Sequence, residues 1–159
     1  MFIIDGYNLL RAIEKMESFS PALTETWLCR MIAAYLRQID RTGCVVFDGI
    51  GPPDREVFED MGNLEVIFSG RNKDADKVIE DKITANTAPR RLLVVSSDRR
   101  LRVAARKRKA TSIKAEAFWE SVISEMDRKP GPREPREKRE GITESETEQW
   151  LKSFGLDEE

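Results

Sequence analysis

Three short apolar runs in this chain lead to an aspartate. Phe2-Ile3-Ile4 stops at Asp5, Val45-Val46-Phe47 stops at Asp48, and Val94-Val95 runs through Ser96-Ser97 to Asp98. A fourth acidic group, Asp74-Ala75-Asp76-Lys77-Val78-Ile79-Glu80-Asp81, opens a helical pattern. One aspartate after a strand is ordinary turn or cap chemistry. That reading suits Asp54, Asp60 and Asp81, and it stays open for Asp5, where Gly6 follows as in a turn. Several carboxylates delivered to one place do something else. They repel, and at least one is pushed toward its neutral form. A divalent cation relieves the repulsion, and an oxygen-only donor set completed by water suits Mg²⁺ or Mn²⁺. Such an ion acidifies a bound water and stabilises charge on a phosphate under attack.

Composition narrows the chemistry further. The 159 residues include no histidine. Ser-His-Asp and Cys-His catalysis, histidine zinc sites and imidazole bases are thereby excluded. Cys29 and Cys44 lie in apolar contexts and read as small buried residues. Hydrolysis by this chain must rest on carboxylates, with a metal. The 27 basic and 29 acidic residues leave a net charge of -2, so bulk charge gives no argument for a nucleic-acid partner. The distribution of charge does.

The elements that must position these acids follow from periodicity. Residues 2–4, 44–47, 64–68, 92–95 and 111–113 read as strands. Several are continuously apolar, as in a parallel sheet covered on both faces. Apolar residues at 23, 27, 28, 31, 32, 35, 36 and 39 mark one helix face, with Ser20 as its cap and Pro21 in its first turn. Further helices are expected over 75–85 with Val78, Ile79 and Ile83 inward, after Asp98 with Leu101, Val103, Ala104 and Ala105, and over 115–126. The Gly49-to-Asn63 connection starts helix-poor. Alternating strands and helices imply a doubly wound α/β fold. In such a sheet the carboxyl ends of the strands share one edge. Asp5, Asp48 and Asp98 therefore meet there, and the helix capped by Asp74 starts there, with Asp76 and Glu80 on one helix face.

Residues 99–114 hold eight basic side chains and no acid. One reading is a solvated helix face that also suits the helix dipole. The other is a phosphate-tracking patch beside the acidic rim, carried by Arg99, Arg100, Arg102 and Arg106, with Arg71 and Lys73 as a second wall. Tyr7 either stacks on a base or packs behind Asp5; Phe118 and Trp119 read as core. Composition changes after residue 127. The core domain is expected over 1–127, a basic Pro-rich linker over 128–142, and an acidic amphipathic segment over 143–159. In that segment Thr143 or Ser145 suits a helix cap ahead of Trp150, Leu151 and Phe154. It docks on its own domain or on a protein partner.

Ile3-Ile4-Asp5-Gly6-Tyr7-Asn8 resembles the opening signature of the NYN domains, nucleases of the PIN-like fold. Val46-Phe47-Asp48-Gly49, Ala75-Asp76-Lys77-Val78-Ile79-Glu80 and Ser96-Ser97-Asp98 match later motifs in order and spacing. The likeness spans roughly residues 1–125 and is nearest the bacterial YacP-like group. It implies a three-layer α/β/α fold with a central parallel sheet in the order 3-2-1-4-5. It implies a metal-dependent endoribonuclease that cleaves single-stranded RNA with Mg²⁺ or Mn²⁺, in the context of translating ribosomes. Asp5, Asp76 and Asp98 would form the metal-binding core, with Asp48 as a fourth member and Glu80 as a further one. Asn8 would position Asp5 or a phosphate. Asp74 departs from the pattern, since many relatives have Thr there. The competing reading is a non-catalytic RNA- or ribosome-binding module. A phosphatase of the HAD type needs an acid where Tyr7 stands, and a receiver domain fits the spacing worse. No signal peptide precedes the first strand and no apolar run approaches ~18 residues, so a cytoplasmic protein without a membrane segment is expected.

Overall fold

The computed structural model describes residues 1–17 and 23–128. Five strands, β1 (Phe2–Asp5), β2 (Gly43–Phe47), β3 (Leu64–Phe68), β4 (Leu93–Val95) and β5 (Thr111–Ile113), form one sheet. All pairings are parallel and the order is β3-β2-β1-β4-β5. Among the described residues six helices surround it: α1 (Gly6–Met16), α2 (Glu25–Gln38), α3 (Glu56–Glu59), α4 (Ala75–Ala85), α5 (Arg99–Lys107) and α6 (Ala115–Asp127). This is the three-layer α/β arrangement expected from the sequence.

The layers follow from the two-residue period of the strands. Ile4, Val45 and Phe47 face one core with Leu9 and Ile13 of α1, Leu28, Ile32 and Leu36 of α2, and Phe118, Trp119 and Val122 of α6. Ile3, Cys44 and Val46 face the other, with Ile79 and Ile83 of α4 and Leu101 and Ala105 of α5. Each fully buried aliphatic or aromatic side chain contributes about 1.5–3 kcal/mol. Neither free cysteine is at the surface.

Three expectations need correction. Asp5-Gly6 is not a turn, because the chain passes from β1 straight into α1. Gly6 is required there by space: a Cβ would collide with the Phe47 ring. The cap of α2 is Thr24, whose hydroxyl accepts from the Trp27 backbone N–H at 3.1 Å. Ser20 and Pro21, proposed for that role, lie outside the described residues. The connection after β2 starts without a helix, as expected, and contains the short α3 further on. Val103 is 37% exposed rather than inward, while Leu101 and Ala105 of the same helix are buried. Asp74 caps α4 as expected, accepting from Lys77 N at 2.7 Å. The linker and the terminal amphipathic segment lie outside the described residues. Among those described, no helix is long and apolar enough to cross a membrane.

Candidate active site

Strands β1, β2 and β4 all deliver their following residues to the carboxyl edge of the sheet. A cleft of about 450 Å³ opens there, lined by Asp5, Tyr7, Asn8, Arg11, Asp48, Asp74, Ala75, Asp76 and Asp98. One wall is the start of α1 and the other the start of α4. Asp5, Asp48, Asp76, Asp98 and Asn8, selected from the sequence, thus come together, and Asp74 joins them.

Asp5 is the last residue of β1 and only 8% exposed. Its carboxylate does not cap α1. The Ser96 hydroxyl donates to its Oδ2 at 3.1 Å, and the same hydroxyl accepts from the Asp98 backbone N–H at 3.1 Å. One buried side chain therefore ties the two acids together. Burial pushes the Asp5 carboxyl up to about 6. Hydrogen bonds from Ser96 and from the Asn8 backbone oppose that rise, and the charges of Asp76 and Asp98 add to it. Asp76 is also raised, first by burial and then by Asp98 and Asp74, against the pull of Arg100.

The loop after β4 is clamped from several sides. Asn8 Oδ1 accepts from Ser97 N at 2.9 Å. Ser97 Oγ donates to Glu116 Oε2 at 2.7 Å and accepts from Ala115 N at 3.1 Å. The Ser97 bond holds the Glu116 carboxyl below its usual range. Asp98 Oδ1 caps α5 by accepting from Arg100 N at 2.7 Å. Asn8 thus orders the Asp98 loop through its side chain and Asp5 through its backbone. Asp48 Oδ1 accepts from Ser69 Oγ and from Ala75 N, both at 3.1 Å, which pins the start of α4 beside β2. Tyr7 packs edge-on to Phe47, with ring centroids 5.1 Å apart. Its hydroxyl donates to Glu25 Oε1 at 2.8 Å, and burial with that bond pushes its pKa up to about 12. Tyr7 therefore packs against the core, as one of its two readings had it, and also lines the cleft.

Other candidates stand apart from the cleft. Glu80 turns to Arg100 in a two-pronged ion pair, Nε to Oε1 at 2.7 Å and Nη2 to Oε2 at 3.0 Å. That bond holds the Glu80 carboxyl low. Lys73 lies 3.6 Å from Asp81. Arg102 Nε reaches Ser112 Oγ at 3.4 Å. Arg71, Arg99 and Arg106 are exposed. None of these cations lines the cleft; Arg11 does, and sequence reasoning passed it over. Tyr7, Asn8 and Arg11 fall three and four apart, a helical spacing hidden once Gly6 is taken as a turn.

Among the described residues no three acidic or cysteine side chains already stand in a metal-coordinating group. The donor set still has the chemistry a hard divalent cation takes: carboxylate oxygens only, with Asp5 desolvated and both Asp5 and Asp76 raised by burial and by neighbouring acids.

The parallel 3-2-1-4-5 sheet with acids gathered at its carboxyl edge is the arrangement expected of the NYN domains, a nuclease-type class, and the sequence bears that class out. The sequence matches the YacP-like NYN domain over residues 2–154, and the chain belongs to that family. The match runs past the motifs into the residues beyond 128. Two solved structures of Rae1 (YacP) from Bacillus subtilis are similar in fold. One has 24% identity and a TM-score of 0.65, covering 98% of this chain and 88% of the other. The W164L mutant has 23% identity and a TM-score of 0.60, covering 79% and 76%. Among curated proteins, none matches this sequence.

Proposed function

We propose that this protein is a metal-dependent endoribonuclease acting on single-stranded RNA, including RNA on the ribosome. The observation that carries the reading is the cleft itself. Five aspartates, brought by β1, the segment after β2, the start of α4 and the cap of α5, line one cavity, and the most buried of them has its carboxyl raised to about 6. A protein that only bound RNA would gain nothing from desolvating a carboxylate against its like-charged neighbours.

Asp5, Asp76 and Asp98 would hold Mg²⁺ or Mn²⁺, with Asp48 at the margin. When bound, such an ion supplies an acidified water and neutralises charge at the phosphodiester. The chain's own groups supply geometry. Ser96 sets Asp5 relative to Asp98, and Asn8 holds the loop between them. Arg11 would meet a phosphate from the α1 wall, while Arg99, Arg71 and Lys73, outside the cleft, would meet the strand beyond it. Tyr7, fixed by Glu25 and Phe47, offers its ring to a base beside the cut.

The acid-free basic run on α5 favours a second reading, an RNA- or ribosome-binding module without catalysis. One assay separates the two: cleavage of labelled single-stranded RNA with Mn²⁺ or Mg²⁺, wild type beside Asp98→Asn, with EDTA as control. Asparagine keeps an oxygen to cap α5, so the fold survives. Cleavage is expected to need the metal and to fall about 10²-fold or more in the variant. Undiminished cleavage by both Asp98→Asn and Asp5→Asn would overturn the mechanism. RNA binding without metal-dependent cleavage would favour the module.

A further inference from the structure

Helix α5 carries Arg99, Arg100, Arg102, Arg106 and Lys107 in nine residues and no acid. Like charges at such spacing destabilise a helix. Among the described residues only part of that charge is answered. Arg100 is taken by Glu80, and Arg108, just past the helix, donates to the carbonyls of Thr84 and Asn86 at 3.1 Å each, at the end of α4. Arg99 and Lys107 form no ion pair among the described residues and are exposed.

These two frame a groove of about 470 Å³ between α4 and α5, lined by Glu80, Arg99, Arg100, Val103, Ala104 and Lys107. Its floor is apolar, and Val103, at 37% exposure, is among the few large apolar side chains left in water. Arg99, Val103 and Lys107 recur every four residues, so cation, apolar contact and cation stand in line along one helix face. Among the described residues Glu80 is the one acid lining it, and Arg100 already neutralises it. The groove begins where the cleft ends, because Arg99 follows Asp98.

We propose that this groove is a binding subsite for single-stranded RNA, receiving the strand on one side of the cleavage point. The choice of RNA as occupant rests on the nuclease reading. Arg99 and Lys107 each take a phosphate, and a base or ribose lies on Val103 and Ala104. Arg100 acts as wall rather than as contact; Arg102 turns to Ser112, and neither it nor Arg106 lines the groove.

The test is anisotropy of a labelled single-stranded RNA with the full chain in EDTA, across a salt series. Arg99→Gln/Lys107→Gln is expected to bind about tenfold more weakly. Its log–log salt slope should fall by about 1.4, since each lost phosphate contact on a single strand removes ~0.7. Val103→Glu should weaken binding as well. Arg30→Gln/Arg37→Gln, on α2 across the sheet, should match wild type. Unchanged affinity and slope in the first double variant would overturn the proposal. So would displacement of the RNA by polyglutamate as readily as by unlabelled RNA, which would make the groove a surface for acidic protein. With metal present, the double variant should raise KM and leave kcat alone. Failure of the groove leaves Asp98-dependent cleavage intact, and failure of cleavage leaves the binding result standing.

Discussion

At the scale of the residue, Asp5 carries a cost that the fold does not need. Its carboxyl is pushed up to about 6 in the folded chain from an ordinary value of 3.8. The folded state therefore holds this proton more tightly than the unfolded state. The stabilisation from Asp5 is fully present below pH ~3.8 and is lost as pH rises through ~6. At neutral pH the charged carboxylate costs roughly 3 kcal/mol relative to a group of ordinary pKa. Asparagine keeps an acceptor for Ser96 and the Asn8 N–H, and removes the charge. In EDTA, Asp5→Asn should melt higher than wild type at neutral pH. The gap should widen as pH rises from ~4 to ~6 and then stay constant. Melting curves of the two proteins across that range check this. A gap that is absent, or that narrows with rising pH, would mean Asp5 is not the strained carboxylate of the cleft.

At the scale of the element, the same stretch shows why some of the structure was legible in the sequence and some was not. The strands were legible because a parallel strand covered on both faces is continuously apolar. Helix α4 was legible because Asp74 caps it and Ile79 and Ile83 fall one turn apart. Helix α1 was not, because Asp-Gly reads as a turn when its neighbours are unknown. The reason for Gly6 lies 41 positions along the chain, in the Phe47 ring that occupies the space of a Cβ. A single missed helix then hid Arg11. Gly6→Ala tests this account of the junction. Overpacking against Phe47 should cost about 1–3 kcal/mol, read as a lower denaturant midpoint at unchanged m-value. A midpoint equal to wild type would mean that the β1–α1 junction relaxes freely and that Gly6 serves some other need.

At the scale of the whole molecule, net charge was silent and topology was not. The rule that strands of a parallel sheet end on one edge was enough to bring Asp5, Asp48 and Asp98 together. It could not show that Glu80 is claimed by Arg100, or that Arg102 turns to Ser112, since those partners are settled by packing between α4, α5 and β5. The cleft also joins the two layers. Tyr7, Asn8 and Arg11 belong to the face built with α2 and α6, and Asp76 to the face built with α5.

A cation held between Asp5, Asp76 and Asp98 would therefore link β1, α4 and α5, and its binding energy should appear as stability of the folded body as a whole. With free ion at about 100 times its Kd, mass action adds about 2.7 kcal/mol, equivalent to several degrees in Tm for a domain of this size. Mn²⁺ titration during thermal unfolding is the measurement, with NaCl at matched ionic strength as control. Wild type should gain stability, and Asp98→Asn and Asp5→Asn should gain little. An equal gain in all three would place the ion elsewhere on an acidic surface. No gain in wild type, with the carboxylates intact, would leave their mutual repulsion unrelieved by metal and remove the physical basis for hydrolysis at this cleft.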